Sequence, residues 1–125
     1  NYNLMKKVAV LIKDFQLATK IIESIANLGY ESFFPDPNQP YQWKADIIII
    51  DLDYEKNRGF NKIRECLESQ SEVEIIGCAK RVSKSLRNEA IEAGCKWIFS
   101  KMIPSIIVYF SFQRVCIPIV GININ

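Results

Sequence analysis

Four consecutive isoleucines, Ile47 to Ile50, are the feature that most restricts how this chain of 125 residues can fold. An aspartate bounds the run at each end, Asp46 before it and Asp51 after it. β-Branched side chains favour extended backbone, and an apolar run without polar alternation is typical of a strand buried on both faces. Such strands occur in parallel sheets that carry helices on both sides. The run therefore predicts the central strand of an α/β fold.

Further strand and helix patterns alternate along the rest of the chain. Short apolar runs predict four more strands, at residues 7–12, 31–34, 73–78 and 96–100. Apolar residues that recur every three or four positions predict helices at residues 15–28, 60–67 and about 83–93. Three prolines within 35–40 lack amide donors and predict a rigid loop. Because parallel strands need right-handed crossovers, we predict a three-layer, doubly wound, five-stranded parallel sheet in the order 2-1-3-4-5.

The length and composition limit the kind of protein. A chain of 125 residues corresponds to one domain, which we predict over residues 1–118, with a tail over 119–125. The chain has no histidine, so imidazole bases and histidine-ligated metals are excluded. Its net charge of +2 gives no electrostatic footprint for nucleic acid. We therefore expect no nucleic-acid partner and no enzyme that depends on histidine.

The cysteines and the apolar C-terminal stretch indicate the cellular compartment in which the protein is expected. None of the four cysteines forms a C-x-x-C pair, so they are predicted to be small core residues in a reducing cytoplasm. Residues 102–120 approach the length of a membrane span, but they include two prolines, a glutamine and an arginine. No contact with a membrane is expected.

The carboxyl ends of parallel strands are the expected place for functional groups. Asp51 ends the third predicted strand, Lys13 and Asp14 follow the first, Ala79 follows the fourth, and Lys101 follows the fifth. Strand ends on one edge of a sheet lie close together. We therefore expect Asp51 and Lys101 to approach within ion-pair distance, about 4 Å or less.

In these residues the chain resembles the receiver domain of two-component response regulators. The resemblance covers residues 6 to about 103 and rests on the apolar run ending at Asp51, Gly59 eight residues later, the Ala93–Gly94 pair and Lys101. It implies that Asp51 is the phosphoacceptor and that Lys101 holds the phosphoryl group. It also implies a non-enzymatic signalling domain of a two-component or phosphorelay system. The implied partners are a sensor kinase or a downstream signalling protein.

The metal-binding residues of that family are only partly present. Receivers carry two acidic residues at the end of the first strand, which hold Mg²⁺ together with the phosphoacceptor, whereas this chain has Ile12 and Lys13. Asp14 would join the site after a one-residue shift, although a helix N-cap is the favoured interpretation. Asp53 would offer its backbone carbonyl. A Mg²⁺ site made of Asp51, Asp14 and Asp53 should bind weakly, because the Lys13 ammonium is expected near Asp51.

The residues that relay phosphorylation in the family also differ here. The hydroxyl residue at the end of the fourth strand corresponds to Ala79, or to Cys78 after a shift, and neither bonds a phosphoryl oxygen well. The aromatic switch residue on the fifth strand corresponds to Ile98. We therefore predict an atypical receiver that acts through protein contact, with phosphorylation of Asp51 weak or absent.

An alternative is a small flavodoxin-like domain that binds a ligand at the same carboxyl edge of the sheet. Against it, neither a P-loop nor a G-x-G-x-x-G motif follows the first strand.

The segment after residue 102 resembles the family least. Arg114 is its only charged residue, and a helix that is apolar on all sides needs another surface to bury it from solvent. A second copy of the chain is the simplest source of such a surface. We therefore expect a homodimer formed through the helix at 83–93, the family's fourth, and the C-terminal segment.

Overall fold

A computed structural model describes residues 6–102 of the chain and confirms the predicted sheet. All five strands are parallel, in the order β2-β1-β3-β4-β5. The strands are β1 (Lys7–Leu11), β2 (Glu31–Phe33), β3 (Ile47–Asp51), β4 (Glu74–Ala79) and β5 (Cys95–Ser100). The α-helices of this part of the chain are α1 (Phe15–Asn27), α2 (Phe60–Ser69) and α3 (Lys84–Ala93). The predicted boundary at 118, the tail over 119–125 and the C-terminal dimer segment lie outside the described residues.

The isoleucine run forms the centre of the sheet, between β1 and β4. Successive side chains point to opposite faces, so the run divides between two cores. Ile47 and Ile49 belong to the core beneath α1, and Ile48 and Ile50 belong to the core beneath α2 and α3. Each isoleucine is at most 5% exposed, and full burial of such a side chain contributes about 1.5–3 kcal/mol. This two-sided burial fixes the register of β3 and brings Asp51 to the carboxyl edge.

Local capping sets the ends of the helices beside that edge. α1 begins after Asp14, whose carboxylate accepts hydrogen bonds from the backbone N–H groups of Gln16 and Leu17 at 2.9 and 3.1 Å. This is the N-cap that the sequence favoured. α3 ends at Gly94, whose φ of 124° lies in the region that favours glycine. A Cβ there would lie 2.2 Å from Leu67 Cδ1, so the Leu67 side chain would also have to move.

Several boundaries differ from the predictions by a few residues. The segment between β2 and β3 is mostly loop, as predicted, with a 3₁₀ turn at Pro40–Gln42. β5 begins one residue earlier than predicted, because a register shift opposite Ile75 and Ile76 adds a residue to the strand. Cys66, Cys78 and Cys95 are buried free thiols, as predicted, whereas Cys116 is outside the described part. In residues 6–102 no helix has both the length and the apolarity needed to cross a bilayer.

Candidate functional site

Asp51 is the only charged side chain that is buried in the described part of the chain, at 2% exposed. It is the last residue of β3, where the apolar layers of the sheet end. A buried carboxylate needs hydrogen-bond donors or cations around it. The backbone N–H of Asp53 donates to Oδ1 at 2.9 Å, and that of Lys13 donates to Oδ2 at 3.4 Å. The edge of the sheet is thus built to hold a negative charge at Asp51.

Lys101 supplies the cation. Its Nζ lies 3.0 and 3.2 Å from the two carboxylate oxygens of Asp51, which is within the predicted distance. The backbone N–H of Lys101 donates to the Ala79 carbonyl at 2.9 Å and places the side chain beside β3. Burial lowers the pKa of Lys101, but hydrogen bonds and charges from Asp53 and Asp51 outweigh it, so the pKa lies above the usual 10.5. The ammonium is therefore firmly held in its charged form.

Asp53 brings a second carboxylate to the same ammonium, which sequence reasoning missed. The prediction assigned only its backbone carbonyl, whereas its Oδ2 lies 2.9 Å from Lys101 Nζ. Oδ2 also accepts from the Lys80 backbone N–H at 2.7 Å, and Oδ1 accepts from Arg58 Nη1 at 2.9 Å. Burial raises the pKa of Asp53, but these donors and the charges of Lys101 and Arg58 outweigh it, so the net pKa is below 3.8. The D-x-D spacing was the available signal, because it places a second carboxylate in the turn that directly follows the end of β3.

The predicted metal ligands Asp51, Asp14 and Asp53 line one cleft, and each carboxylate there already accepts hydrogen bonds from protein groups. Asp14 lines the same cleft as Asp51 and Asp53, but its Oδ1 is bonded to the start of α1. Ile12 is 8% exposed and packs in the core beneath α1. In residues 6–102 no group of three or more histidine, cysteine, aspartate or glutamate side chains is placed to hold a metal ion. The ammonium of Lys101 lies between the carboxylates of Asp51 and Asp53, so Mg²⁺ would have to compete with it for Asp51.

Lys13 lines the same cleft as Asp51, and the contact between the two residues is made by the Lys13 backbone. Among the described residues no ion pair joins its ammonium to Asp51, and Lys13 contacts that carboxylate through its backbone N–H. The neighbouring cation is Lys101 instead. Lys13 lies two residues beyond the end of β1, and its backbone N–H points toward the end of β3.

The two positions predicted to correspond to the family's switch residues carry side chains that are packed in the core. Ala79 is fully buried. It has a methyl group at the position where the family has a hydroxyl side chain. Ile98 is 4% exposed and packs in the core beneath α2 and α3. Cys78, the alternative to Ala79, is buried in the sheet, where burial, and then the charge of Asp51, raises the pKa of its thiol far above 9.0. None of these three side chains offers a mobile hydroxyl or aromatic group at the edge of the sheet.

The open cleft above Asp51 has charged walls. It has a volume of about 460 Å³ and is lined by Lys13, Asp14, Asp51, Asp53 and Lys101. Pockets for planar cofactors are lined mostly by apolar and aromatic side chains. A separate apolar cavity lies beneath the β3–α2 loop, between Trp43 and Asp51, but its volume is only about 10 Å³. Neither space favours the alternative of a flavodoxin-like ligand site.

Comparison with known proteins shows the fold. A response regulator from Thermotoga maritima superposes with a TM-score of 0.77 over 88% of this chain and 97% of its own, at 16% identity. The chemotaxis protein CheY4 of Vibrio cholerae has a TM-score of 0.75 over 90% and 99%, at 18% identity. A response regulator protein from Burkholderia pseudomallei, with a phosphorylated aspartic acid, calcium ion and citrate, has a TM-score of 0.68 over 87% and 74%, at 14% identity. The chain therefore has the flavodoxin-like fold of response-regulator receiver domains. No family model and no curated protein sequence matches it.

Proposed function

We propose that this chain is a receiver-like signalling domain of a two-component or phosphorelay system, which acts through protein contact with phosphorylation of Asp51 weak or absent. The observation that carries the proposal is the Lys101 ammonium, which bridges the carboxylates of Asp51 and Asp53. In this proposal Asp51 is the phosphoacceptor position and Lys101 the phosphoryl-contacting position. Ala79 and Ile98 occupy the switch positions without the groups that a switch would use.

Charge balance at the edge supports weak reactivity. The carboxylates of Asp51 and Asp53 face two cations, Lys101 and Arg58, so the cluster is neutral as it stands. A phosphoryl group brings further negative charge, and Mg²⁺ normally offsets such charge during transfer. To enter here, Mg²⁺ would have to displace an ammonium from two carboxylates, and the first strand offers Ile12 and Lys13 in place of acids. We therefore expect weak Mg²⁺ binding and slow transfer.

Protein contact remains as the means of signalling, and α3 offers a surface for it. Lys80, Arg81, Lys84 and Arg87 all have exposed side chains at the start of this helix and in the loop before it. Ile91, on the same helix, is 46% exposed. The proposed partner is a sensor kinase or a downstream signalling protein, and a second copy through α3 and the C-terminal segment is the proposed homodimer. Buried free thiols at Cys66, Cys78 and Cys95 agree with a cytoplasmic location.

Small phosphodonors test the proposal directly. The purified chain is incubated with acetyl phosphate and Mg²⁺, and separately with beryllofluoride and Mg²⁺, and followed by intact mass and amide NMR. We expect no added phosphoryl mass and no shift of the Asp51 or Lys101 amides. An Asp51→Asn variant is the matched control for labelling elsewhere. Rapid, Mg²⁺-dependent labelling of Asp51 in the unaltered chain would overturn the proposal.

A further inference from the structure

The carboxylate of Asp53 joins three segments that are far apart in the sequence. Oδ1 accepts from Arg58 at the end of its own β3–α2 loop. Oδ2 accepts from the Lys80 backbone N–H in the β4–α3 loop and from the ammonium of Lys101 after β5. The distances, 2.7 to 2.9 Å, are those of charge-assisted hydrogen bonds. One side chain thus links every loop at this edge between β3 and the end of β5.

The donors around Oδ2 have the character of an anion site. An ammonium and a backbone N–H converge on one oxygen atom, and neither can accept a hydrogen bond from the other. Two such donors converge favourably only with an acceptor between them, and an anionic oxygen also offsets the charge of the ammonium. The Asp53 side chain is 29% exposed, so the same position would be open to solvent if that carboxylate were removed. An oxyanion from solution would then meet the same two donors.

The backbone of the β3–α2 loop shows that this contact is maintained at a conformational cost. Arg58 has a φ of 62°, a left-handed conformation that is uncommon for a residue with a long side chain. In that conformation its guanidinium reaches Asp53 Oδ1 at 2.9 Å and the Leu52 carbonyl at 3.5 Å. The loop therefore folds back so that Arg58 contacts the Asp53 carboxylate and keeps it close to Lys80 and Lys101.

We propose that Asp53 is the internal ligand of an oxyanion site formed by the Lys101 ammonium and the Lys80 backbone N–H. Its carboxylate holds the β4–α3 loop in the conformation that a bound anion would produce, without any covalent modification. This inference rests on the proposed function, since it explains how a receiver-like domain would keep one signalling conformation with Asp51 unmodified. The loop that Asp53 holds leads directly into the exposed cations Arg81, Lys84 and Arg87. Asp53 is thus a positioning residue for that surface.

Inorganic phosphate is the probe for the vacated site. Asp53→Ala removes the internal ligand, and Asp53→Asn keeps its size while removing its charge. Glu55→Gln is the matched control, because Glu55 lies in the same loop but pairs with Lys62. Each variant is titrated with phosphate at constant ionic strength, and the Lys80 amide is followed by NMR and hydrogen exchange.

In Asp53→Ala we expect hydrogen exchange at the Lys80 amide to increase about tenfold or more, because its charge-assisted acceptor is gone. Phosphate should return that amide toward its position in the unaltered chain, with an affinity at least about tenfold above that for the unaltered chain or for Glu55→Gln. A purely structural role for Asp53 would not produce this rescue. The Asn variant should lie between the two, since it keeps an oxygen acceptor.

Phosphate binding to Asp53→Ala that is no tighter than to the unaltered chain would overturn the inference. If that variant does not fold, exchange in the unaltered chain decides: a Lys80 amide that exchanges as fast as the Arg81 amide refutes the contact, and a protected one supports it. Failure of the proposed function is a separate result, namely labelling of Asp51 by acetyl phosphate. Failed phosphate rescue with Asp51 unlabelled overturns only the present inference.

Discussion

Asp14 and Asp53 were both predicted ligands of a weak metal site, and the structure gives their carboxylates very different roles. Asp14 accepts hydrogen bonds from backbone groups two and three residues ahead of it, so it serves its own helix. Asp53 accepts from groups 27 and 48 residues away, at Lys80 and Lys101. The role of a loop carboxylate therefore depends on which donors the fold brings to it. Asp14 is a local cap, and Asp53 is a tertiary link.

The largest expected effect comes from removing the cation shared by Asp51 and Asp53. Lys101→Ala leaves Asp51 buried without its counter-ion, and breaking such a pair costs about 3–5 kcal/mol of unfolding free energy. Urea denaturation measures this loss. The double variant with Asp51→Asn should recover part of it, because the uncompensated charge is removed. A loss below about 1 kcal/mol would mean that the cluster behaves as a surface ion pair.

The pH dependence of stability should follow Asp53 in acid and Lys101 in base. The pKa of Asp53 is lowered from 3.8, so its contribution is complete above the unfolded-state value and is lost as the pH falls below 3.8. The pKa of Lys101 is raised above 10.5, so its contribution is complete below that value and is lost as the pH rises beyond it.

Unfolding free energies measured across this range check the prediction. Asp53→Asn should flatten the acid limb, because it removes the carboxylate whose pKa is lowered. An acid limb that this substitution leaves unchanged would show that the contacts of Asp53 do not stabilise the fold.

A smaller effect is expected at the local cap. Asp14→Ala removes the acceptor for Gln16 and Leu17 and should cost about 1 kcal/mol, the usual value for an N-cap. Asp14→Ser should restore most of that stability, because serine caps helices almost as well. The Lys80 amide, followed by NMR, should not shift in either variant. A shift there would show that Asp14 also takes part in the tertiary cluster.

The smallest effect is that of Mg²⁺ on the unaltered chain. At a concentration one tenth of its dissociation constant, a ligand stabilises a protein by only about 0.06 kcal/mol, so the melting temperature should barely move. Ile12→Asp with Lys13→Asp should increase the Mg²⁺-dependent shift and any labelling of Asp51. Because Ile12 is buried, this double variant needs a folding control by circular dichroism. A clear Mg²⁺ shift of the unaltered chain would contradict the weak site.

Local patterns in the sequence predicted most of the fold. The isoleucine run indicated β3, apolar periodicity indicated the three helices, and the strand order followed from right-handed crossovers. The meeting of Asp51 and Lys101 was also predictable, because each ends or follows a strand of a parallel sheet. The added residue in β5 was not predictable, since it depends on packing against β4.

The sequence by itself determined the sheet, the helix cap at Asp14 and the edge of the sheet at which the charged residues lie. Each of these depends on residues a few positions apart or on the rules of strand connection. Only the tertiary structure decided what Asp53 does. Its partners Lys80 and Lys101 belong to other loops, and the turn of the backbone at Arg58 directs the carboxylate toward them. Electrostatic contacts of this kind depend on distances of a few ångströms between segments remote in sequence, and no local pattern encodes those distances.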